Sequence, residues 1–149
     1  MSSSLQLRRR LKADPRTLRV FGDVLPVDRL PKNRLRRKPR LYIINTDEST
    51  KPGEHWILTY FHNNGRGVYF DPYGFDVHDT RIKHFLDKNC IHYIHNSRHL
   101  QGALSHTCGH FCVYVARRLA RGFSLKRALR DFSTFNSYYN DRLVVSNKI

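Results

Sequence analysis

A cysteine followed by glycine, Cys108-Gly109, stands where a helix is predicted to begin. Phe111, Val115 and Leu119 recur after it at four-residue steps, the spacing of an amphipathic helix that runs to about residue 121. The first turn of a helix carries unpaired N–H groups and the positive end of the dipole, which stabilise an anion. Because the thiolate is the nucleophilic form of cysteine, Cys108 is a candidate nucleophile. The alternative is a cysteine that only packs in the core.

The residues around Cys108 are typical of a helix start. Thr107 or Ser105 is a candidate N-cap, and Gly122 is expected to end the helix. Gly109 has no side chain, so it is expected to leave room for the backbone of a substrate to come close.

A cysteine nucleophile needs a base, an acceptor that orients the base, and donors for the developing oxyanion. His55 opens one predicted strand, Asp71 closes the next, and the N-N-G-R-G turn at 63–67 joins them into a hairpin. His55 and Asp71 should therefore meet at one end of the sheet, where Asp71 fixes the imidazole tautomer. Gln101 lies seven residues before Cys108, a spacing that lets its amide and the Cys108 N–H form an oxyanion hole. Each residue alone also fits a lesser role, such as a chance histidine or a turn-forming aspartate.

Three motifs in this order resemble the adenovirus-type cysteine endopeptidases, adenain and its relatives, within the clan that includes the SUMO-specific proteases. They are H-W, F-D-P-Y-G-F and Q-x6-C-G-x-F-C, and the resemblance extends over residues 14–132. It implies His55 as base, Asp71 as orienting acceptor, Gln101 as oxyanion donor and Cys108 as nucleophile. SUMO-specific proteases commonly have the glutamine one residue closer to the cysteine. Adenovirus enzymes often have Glu at the position of Asp71.

The other two cysteines have separate interpretations. Cys112 lies one helical turn after Cys108 and is expected to pack in the core. Cys90 falls where the resemblance implies a cysteine that forms a disulfide with a short activating peptide, and it is predicted to be an exposed thiol at the end of a helix. A zinc site from Cys108, His110 and Cys112 is disfavoured, because positions i and i+2 of a helix do not face each other. We therefore expect no metal and no small-molecule cofactor.

The elements that must position these residues alternate between strands and helices. The predicted strands are 41–45, 55–62, 67–71 and 91–95. The predicted helices are 14–21, 108–121, 124–132 and one that is capped by Asp76 or Asp79 and ends at about Lys88. Residues 22–31 are predicted as a proline-punctuated loop, 32–40 as an exposed basic loop, and the last 14 or so residues have no firm pattern. The fold class is α+β, with a mixed or antiparallel central sheet packed against helices and the nucleophile at the N-terminus of a buried helix.

The length predicts one domain, at 13–149, preceded by a flexible basic tail at 1–12, and the resemblance implies that this domain is a cysteine protease. The chain has 149 residues, with 27 Lys and Arg against 12 Asp and Glu, so its formal charge is +15. Such an excess favours DNA as a partner, through basic clusters at 8–12, 32–40 and 117–130. No apolar run of 18 residues and no signal-peptide core is present, so neither a membrane span nor secretion is expected. Three cysteines in no scaffold spacing indicate a reducing compartment.

The sequence thus predicts a monomeric cysteine endopeptidase. The resemblance implies substrates that are viral structural precursors, cut beside small residues such as Gly, and a location in the virion and the host nucleus. DNA and a cysteine-containing activating peptide are the further expected partners. Two alternatives remain: a deconjugating protease of ubiquitin-like modifiers, and a basic nucleic-acid-binding structural protein that has an inactive protease fold.

Overall fold

A five-stranded mixed sheet organises the part of the chain that the computed structural model describes, residues 2–50, 55–102 and 106–146. Its strands follow their sequence order in space: β1 (Phe21–Pro26), β2 (Arg40–Asn45), β3 (Trp56–Phe61), β4 (Arg66–Phe70) and β5 (His92–His95). β2, β3 and β4 are antiparallel, whereas β1 and β5 each join an outer edge in parallel pairing. The helices are α1 (Ser4–Ala13), α2 (Pro15–Val20), α3 (Thr80–Asn89), α4 (Cys108–Ala120), α5 (Leu125–Ala128) and α6 (Ser137–Ser146).

Both faces of the sheet are covered, and for this reason β2 and β3 are nearly continuous apolar runs. Along β2, Leu41 and Ile43 point to the core shared with α1, α2 and α4, whereas Tyr42 and Ile44 point to the core shared with α3. A strand that is buried on both sides must be apolar at every position, unlike one with a solvated face. The predicted α+β class, with a mixed sheet packed against helices, is confirmed.

Several predicted elements are confirmed closely. The β3–β4 hairpin turns at Gly65, whose positive φ of 88° suits glycine. The side chain of Asp14 caps α2 and that of Asp79 caps α3. α4 begins at Cys108 and is followed by Gly122 with φ of 92°. Residues 32–39 lie outside helices and strands, as expected for the basic loop, but Arg40, the last residue of the predicted loop, opens β2.

The predicted flexible tail at 1–12 is wrong for Ser4–Lys12, because these residues belong to α1. Leu7 and Leu11 recur at helical spacing among the arginines, and both are 0% exposed against α4 and the sheet. A reciprocal capping box between Ser3 and Gln6 starts the helix. The apolar face of α1 consists of only these two leucines, so the basic residues around them dominated the sequence pattern. The boundary of a single domain at 13–149 stays a prediction.

Three further expectations need correction. The proline-punctuated loop at 22–31 begins as the edge strand β1 and continues as a short 3-10 helix at Val27–Arg29, since prolines are tolerated at an edge. The predicted helix at 124–132 is only the four-residue α5, although Ser124 caps it. Near the end of the chain, α6 was not predicted; its signal is Asn136, whose Oδ1 accepts the N–H of Tyr139 at 3.0 Å. Within the described ranges, every helix is too short or too polar to cross a membrane.

Candidate active site

His55 and Asp71 meet at one end of the β3–β4 hairpin. His55 immediately precedes β3, Asp71 immediately follows β4, and the antiparallel pairing of Leu58 with Phe70 brings these ends together. The Nε2 atom of His55 lies 2.7 Å from Oδ1 of Asp71. The predicted proximity is confirmed, while the catalytic roles of both residues stay predictions.

Asp71 is held by its neighbours as well as by the strand. Its Oδ1 also accepts the N–H of Tyr73 at 2.8 Å, which closes a tight turn after the strand. Asn96 is buried and directly follows β5, and its side chain makes two hydrogen bonds to the backbone of Asp71. Its Oδ1 accepts the Asp71 N–H at 3.1 Å, and its Nδ2 donates to the Asp71 carbonyl at 2.6 Å. The carboxylate therefore has a fixed position relative to β5.

Tyr73 covers the imidazole of His55. The two rings are stacked, with centroids 4.7 Å apart and planes inclined by 24°. On its other side Tyr73 meets His99 edge to face, with centroids 5.2 Å apart. The ring of Tyr73 therefore restricts rotation of His55 away from Asp71.

The electrostatics of His55 favour its charged form. Burial lowers its pKa, but hydrogen bonds to Asp71 and Cys108, and the negative charges of both partners, raise the pKa to about 9. The imidazole is therefore an imidazolium at neutral pH. Since Nε2 is engaged by Asp71, Nδ1 remains for the sulfur of Cys108. A buried histidine that is hydrogen-bonded to a carboxylate and has its pKa raised by a cysteine has the arrangement of a base between an orienting acceptor and a nucleophile.

α4 brings Cys108 to this histidine. Cys108 is the first residue of the helix and is 1% exposed. One turn later, the Sγ atom of Cys112 donates to the carbonyl of Trp56 at 3.4 Å, which ties α4 to β3 beside His55. Cys112 lies in the core as predicted, where burial raises its pKa well above the ordinary value.

The cap of α4 differs from a common N-cap. Thr107 occupies the cap position, but its side chain accepts no hydrogen bond from the first turn. Its hydroxyl donates instead to Oδ1 of Asp141 at 2.8 Å. Ser105, the other predicted cap, lies outside the described residues.

Gln101 is buried next to the turn that follows Asp71. The N–H groups of Leu100 and Gln101 both donate to the carbonyl of Pro72, at 2.9 and 3.1 Å. Gly74 permits this approach: its φ is +80°, and a Cβ there would lie 2.6 Å from the carbonyl of Arg98. The P-Y-G-F turn thus brings the segment leading to Gln101 against the Asp71 end of the sheet. The role of Gln101 as an oxyanion donor stays a prediction.

Two expectations about access are wrong. A Cβ on Gly109 would lie 3.1 Å from both Leu7 Cδ2 and Ser2 Cβ, so the space beside this glycine is filled by the chain's own N-terminal segment. Cys90 is half-buried rather than exposed, and its thiol donates to the carbonyl of Leu86 at 3.1 Å. Burial raises its pKa, although Lys38 and Lys83 act in the opposite direction.

Sequence reasoning missed Asn96 and Asp141 as supports of the site. Asn96 follows the strand that pairs with β4, so its position at the end of a parallel neighbour was the available signal. Asp141 lies in the helix that the sequence did not predict, and no signal pointed to it. Within the described parts of the chain, no group of three or more His, Cys, Asp or Glu side chains is arranged to hold a metal ion.

Comparison with known proteins identifies one sequence family. The family described as adenovirus endoprotease matches residues 28–121, a range that contains His55, Asp71, Gln101 and Cys108. No curated protein sequence matches the chain significantly.

Two crystal structures of the African swine fever virus (ASFV) pS273R protease share the fold. One is 12% identical, with a TM-score of 0.55, and the match covers 91% of this chain and 64% of that protease. The other, a selenomethionine structure, is 17% identical, with a TM-score of 0.50 and coverage of 68% and 42%. This chain therefore spans less than two thirds of the length of the protease that it matches.

Proposed function

This chain belongs to the adenovirus endoprotease family, and on that premise we propose that it is a cysteine endopeptidase with a Cys108–His55–Asp71 triad. The observation that carries the proposal is the position of His55: its Nε2 lies 2.7 Å from Oδ1 of Asp71, and its pKa is raised by both Asp71 and Cys108, the first residue of α4. An imidazolium stabilised by a carboxylate is the partner that a thiolate nucleophile requires.

Acylation starts from the imidazolium–thiolate pair. The sulfur of Cys108 attacks the carbonyl carbon of the peptide, so a C–S bond forms and an electron pair moves to the oxygen. The amide of Gln101 and the N–H of Cys108 stabilise this oxyanion. When the oxyanion collapses, the C–N bond breaks, and the amine leaves with the proton that His55 donates. The product is a thioester, and His55 is neutral.

Deacylation restores the ion pair. Neutral His55 removes a proton from a water molecule as the water oxygen attacks the thioester. The second oxyanion collapses with cleavage of the C–S bond, which releases the acid and leaves the Cys108 thiolate beside the imidazolium. Throughout the cycle Asp71 fixes the tautomer of His55 and stabilises its positive charge.

For substrates, we propose precursors of viral structural proteins cut beside small residues such as Gly, in the virion and the host nucleus. Support comes from the family and from the Q-x6-C spacing and P-Y-G-F turn, which are not typical of SUMO-specific proteases. Ubiquitin-like conjugates should accordingly be processed more slowly than an extended glycine-containing peptide.

The test is cleavage of a glycine-rich peptide library by the purified protein, with and without DNA. Cys108→Ala should abolish cleavage and labelling by an active-site thiol probe, while circular dichroism and melting change little. Arg81→Ala, a surface substitution, is the control and should cleave like the wild type. Equal cleavage by Cys108→Ala and the wild type would eliminate the enzyme and favour the inactive structural protein. Faster processing of a SUMO-derived substrate than of every peptide would favour deconjugation.

DNA association is a second part of the proposal, supported by the charge of +15 and by the basic loop. Lys32, Arg34, Arg36 and Arg37 are exposed there, whereas Lys38 donates to the Asn89 carbonyl. The logarithm of the DNA-binding constant should fall linearly with the logarithm of the salt concentration. Replacing Arg34, Arg36 and Arg37 together by Ala should flatten that slope. Arg81→Ala should not, because Asp79 and Glu48 already neutralise Arg81. Binding that is indifferent to salt would contradict the proposal.

An activating peptide linked through Cys90 is the third part of the proposal. The half-buried thiol with a raised pKa is poorly suited to thiol–disulfide exchange. If such a peptide acts here, Cys90→Ser should weaken activation by cysteine-containing peptides. Native thiol labelling followed by mass spectrometry measures the accessibility directly, and an inert Cys90 with normal activation would make it a packing residue.

A further inference from the structure

Asp141 connects the two described ends of the segment between Gln101 and Cys108. Both carboxylate oxygens of Asp141 lie 3.2 Å from the N–H of Gly102, directly after Gln101. Its Oδ1 also accepts the hydroxyl proton of Thr107 at 2.8 Å, directly before Cys108. A single side chain on α6 therefore bonds to the neighbours of both predicted oxyanion donors.

Asn140 anchors the same turn of α6 and limits the movement of Asp141. It is 1% exposed, and its Nδ2 donates to the carbonyl of Leu100 at 3.2 Å and of Ser133 at 2.9 Å. Its Oδ1 accepts the N–H of Ser133 at 2.7 Å. The helix that carries Asp141 is thus fixed to the residue that precedes Gln101.

The contact with Thr107 has a consequence for the first turn of α4. A threonine at the N-cap normally uses its oxygen to accept an N–H of the second or third helical residue. Here the hydroxyl donates to Asp141, and the Thr107 side chain caps no N–H of the first turn. The hydroxyl of Thr107 thus links the start of α4 to α6.

The electrostatic setting opposes a carboxylate at this place. Burial is the largest cause that raises the pKa of the Tyr73 hydroxyl. The negative charges of Cys108, Asp71 and Asp141 raise this pKa further, so all three groups lie near the Tyr73 hydroxyl. A third negative charge beside a thiolate and a developing oxyanion is unfavourable for the chemistry. The three contacts of Asp141 with Gly102 and Thr107 give its carboxylate a geometric role in this region.

We propose that Asp141 is a positioning residue. It holds the Gln101 amide and the Cys108 N–H in the relative position that an oxyanion hole requires. The inference rests on the proposed peptidase function and deepens it. Asp141 acts through Gly102 and Thr107, the neighbours of Gln101 and Cys108. Loss of the contacts of Asp141 with Gly102 and Thr107 should impair a reaction step in which an oxyanion develops. It should not affect a reaction of the Cys108 thiol in which no oxyanion forms.

The test compares peptide hydrolysis with alkylation of Cys108 by iodoacetamide in Asp141→Ala. Displacement of an oxyanion donor by about 1 Å should lower kcat about 10²-fold while KM changes little. The alkylation rate should stay at the wild-type level, because displacement of iodide forms no oxyanion. Asp141→Asn keeps an acceptor oxygen for Thr107 and Gly102 and should restore most of kcat. Asp131→Ala, an exposed carboxylate on the preceding segment, is the matched control.

A second variant guards against general disruption. Thr107→Val removes one contact and leaves the carboxylate, so it should lower kcat less than Asp141→Ala, and the double variant should be less than additive. Wild-type kcat in Asp141→Ala would overturn the inference and leave the peptidase standing. So would an equal loss of kcat and alkylation, which would mean general distortion. A wild type without turnover would remove both proposals at once.

Discussion

Asp71→Asn isolates the charge of the triad's acidic member. Asparagine has nearly the same shape, and its Oδ1 can still accept from the Tyr73 N–H and from His55. The backbone grip of Asn96 on residue 71 does not depend on the side chain and should persist. The substitution therefore removes the negative charge that faces His55 and leaves the turn in place.

The structure gives the magnitude of the effect. Burial opposes the charge of His55, yet Asp71 and Cys108 raise its pKa from 6.5 to about 9. That rise corresponds to about 3 kcal/mol in favour of the imidazolium. An opposite charge at this distance moves a pKa by about 1–3 units, so a substantial share is lost in Asp71→Asn.

The pH dependence of kcat/KM measures this change. An imidazolium is required, so activity of the wild type should fall as pH rises through about 9. In Asp71→Asn the alkaline limb should move to lower pH, with reduced activity even on the plateau. Asp71→Glu keeps the charge and should retain part of the activity, whereas Asp87→Asn, an exposed carboxylate paired with Lys83, is the control.

Urea unfolding tests the raised pKa of His55 independently, because this pKa predicts the direction in which the free energy of unfolding changes with pH. A group whose pKa is raised in the folded state stabilises the fold fully below its unfolded pKa, here 6.5, and loses that effect as pH rises through about 9. The wild-type free energy of unfolding should therefore decrease across this window by up to about 3 kcal/mol, and that of Asp71→Asn by less. An unchanged alkaline limb and full activity in Asp71→Asn would refute the reasoning and leave Asp71 as a turn former.

Two further predictions concern the oxyanion hole and the N-terminal helix. Gln101→Ala should lower kcat about 10²–10³-fold with little change in KM in the peptide assay, and a normal kcat would exclude it as an oxyanion donor. Leu11→Ala should lower the free energy of unfolding by about 2–5 kcal/mol in urea titration, because Leu11 is fully buried. A substitution at the exposed Leu5 is the matched control, and equal effects at both positions would mean that α1 does not pack as described.

Local patterns made the His55–Asp71 pair predictable. The turn at 63–67 is short, so the hairpin register fixes which strand ends meet, and the geometry needed no distant contact. The start of α4 was predictable for a similar reason: apolar spacing after Cys108 and Gly122 beyond the helix are both local signals. The positions of His55, Asp71 and Cys108 could be predicted because each lies at the end of a strand or helix that has clear local sequence signals.

The features that escaped prediction depend on contacts distant in sequence. Leu7 and Leu11 form an apolar face that matters only because α4, about a hundred residues later, lies against it. Cys90 follows a polar segment and was expected at the surface, but the packing of α3 and β4 covers it: a Cβ on Gly67 would lie 2.8 Å from its sulfur. Asp141 acquires its role only through Gly102 and Thr107, more than thirty residues away.

The contacts divide the site into two supports that meet at Cys108. On one side, β3, β4 and Asn96 fix His55 and Asp71, and the Cys112 bond to Trp56 ties α4 to the same strands. On the other side, Asp141 on α6 binds Gly102, directly after Gln101, and Thr107, directly before Cys108. The first support sets the charge of the imidazole, and we propose that the second sets the direction of the two predicted oxyanion donors. Because the first acts on the imidazole and the second on the proposed oxyanion donors, losses in the first should appear in the pH profile, and losses in the second should appear in kcat at constant pH.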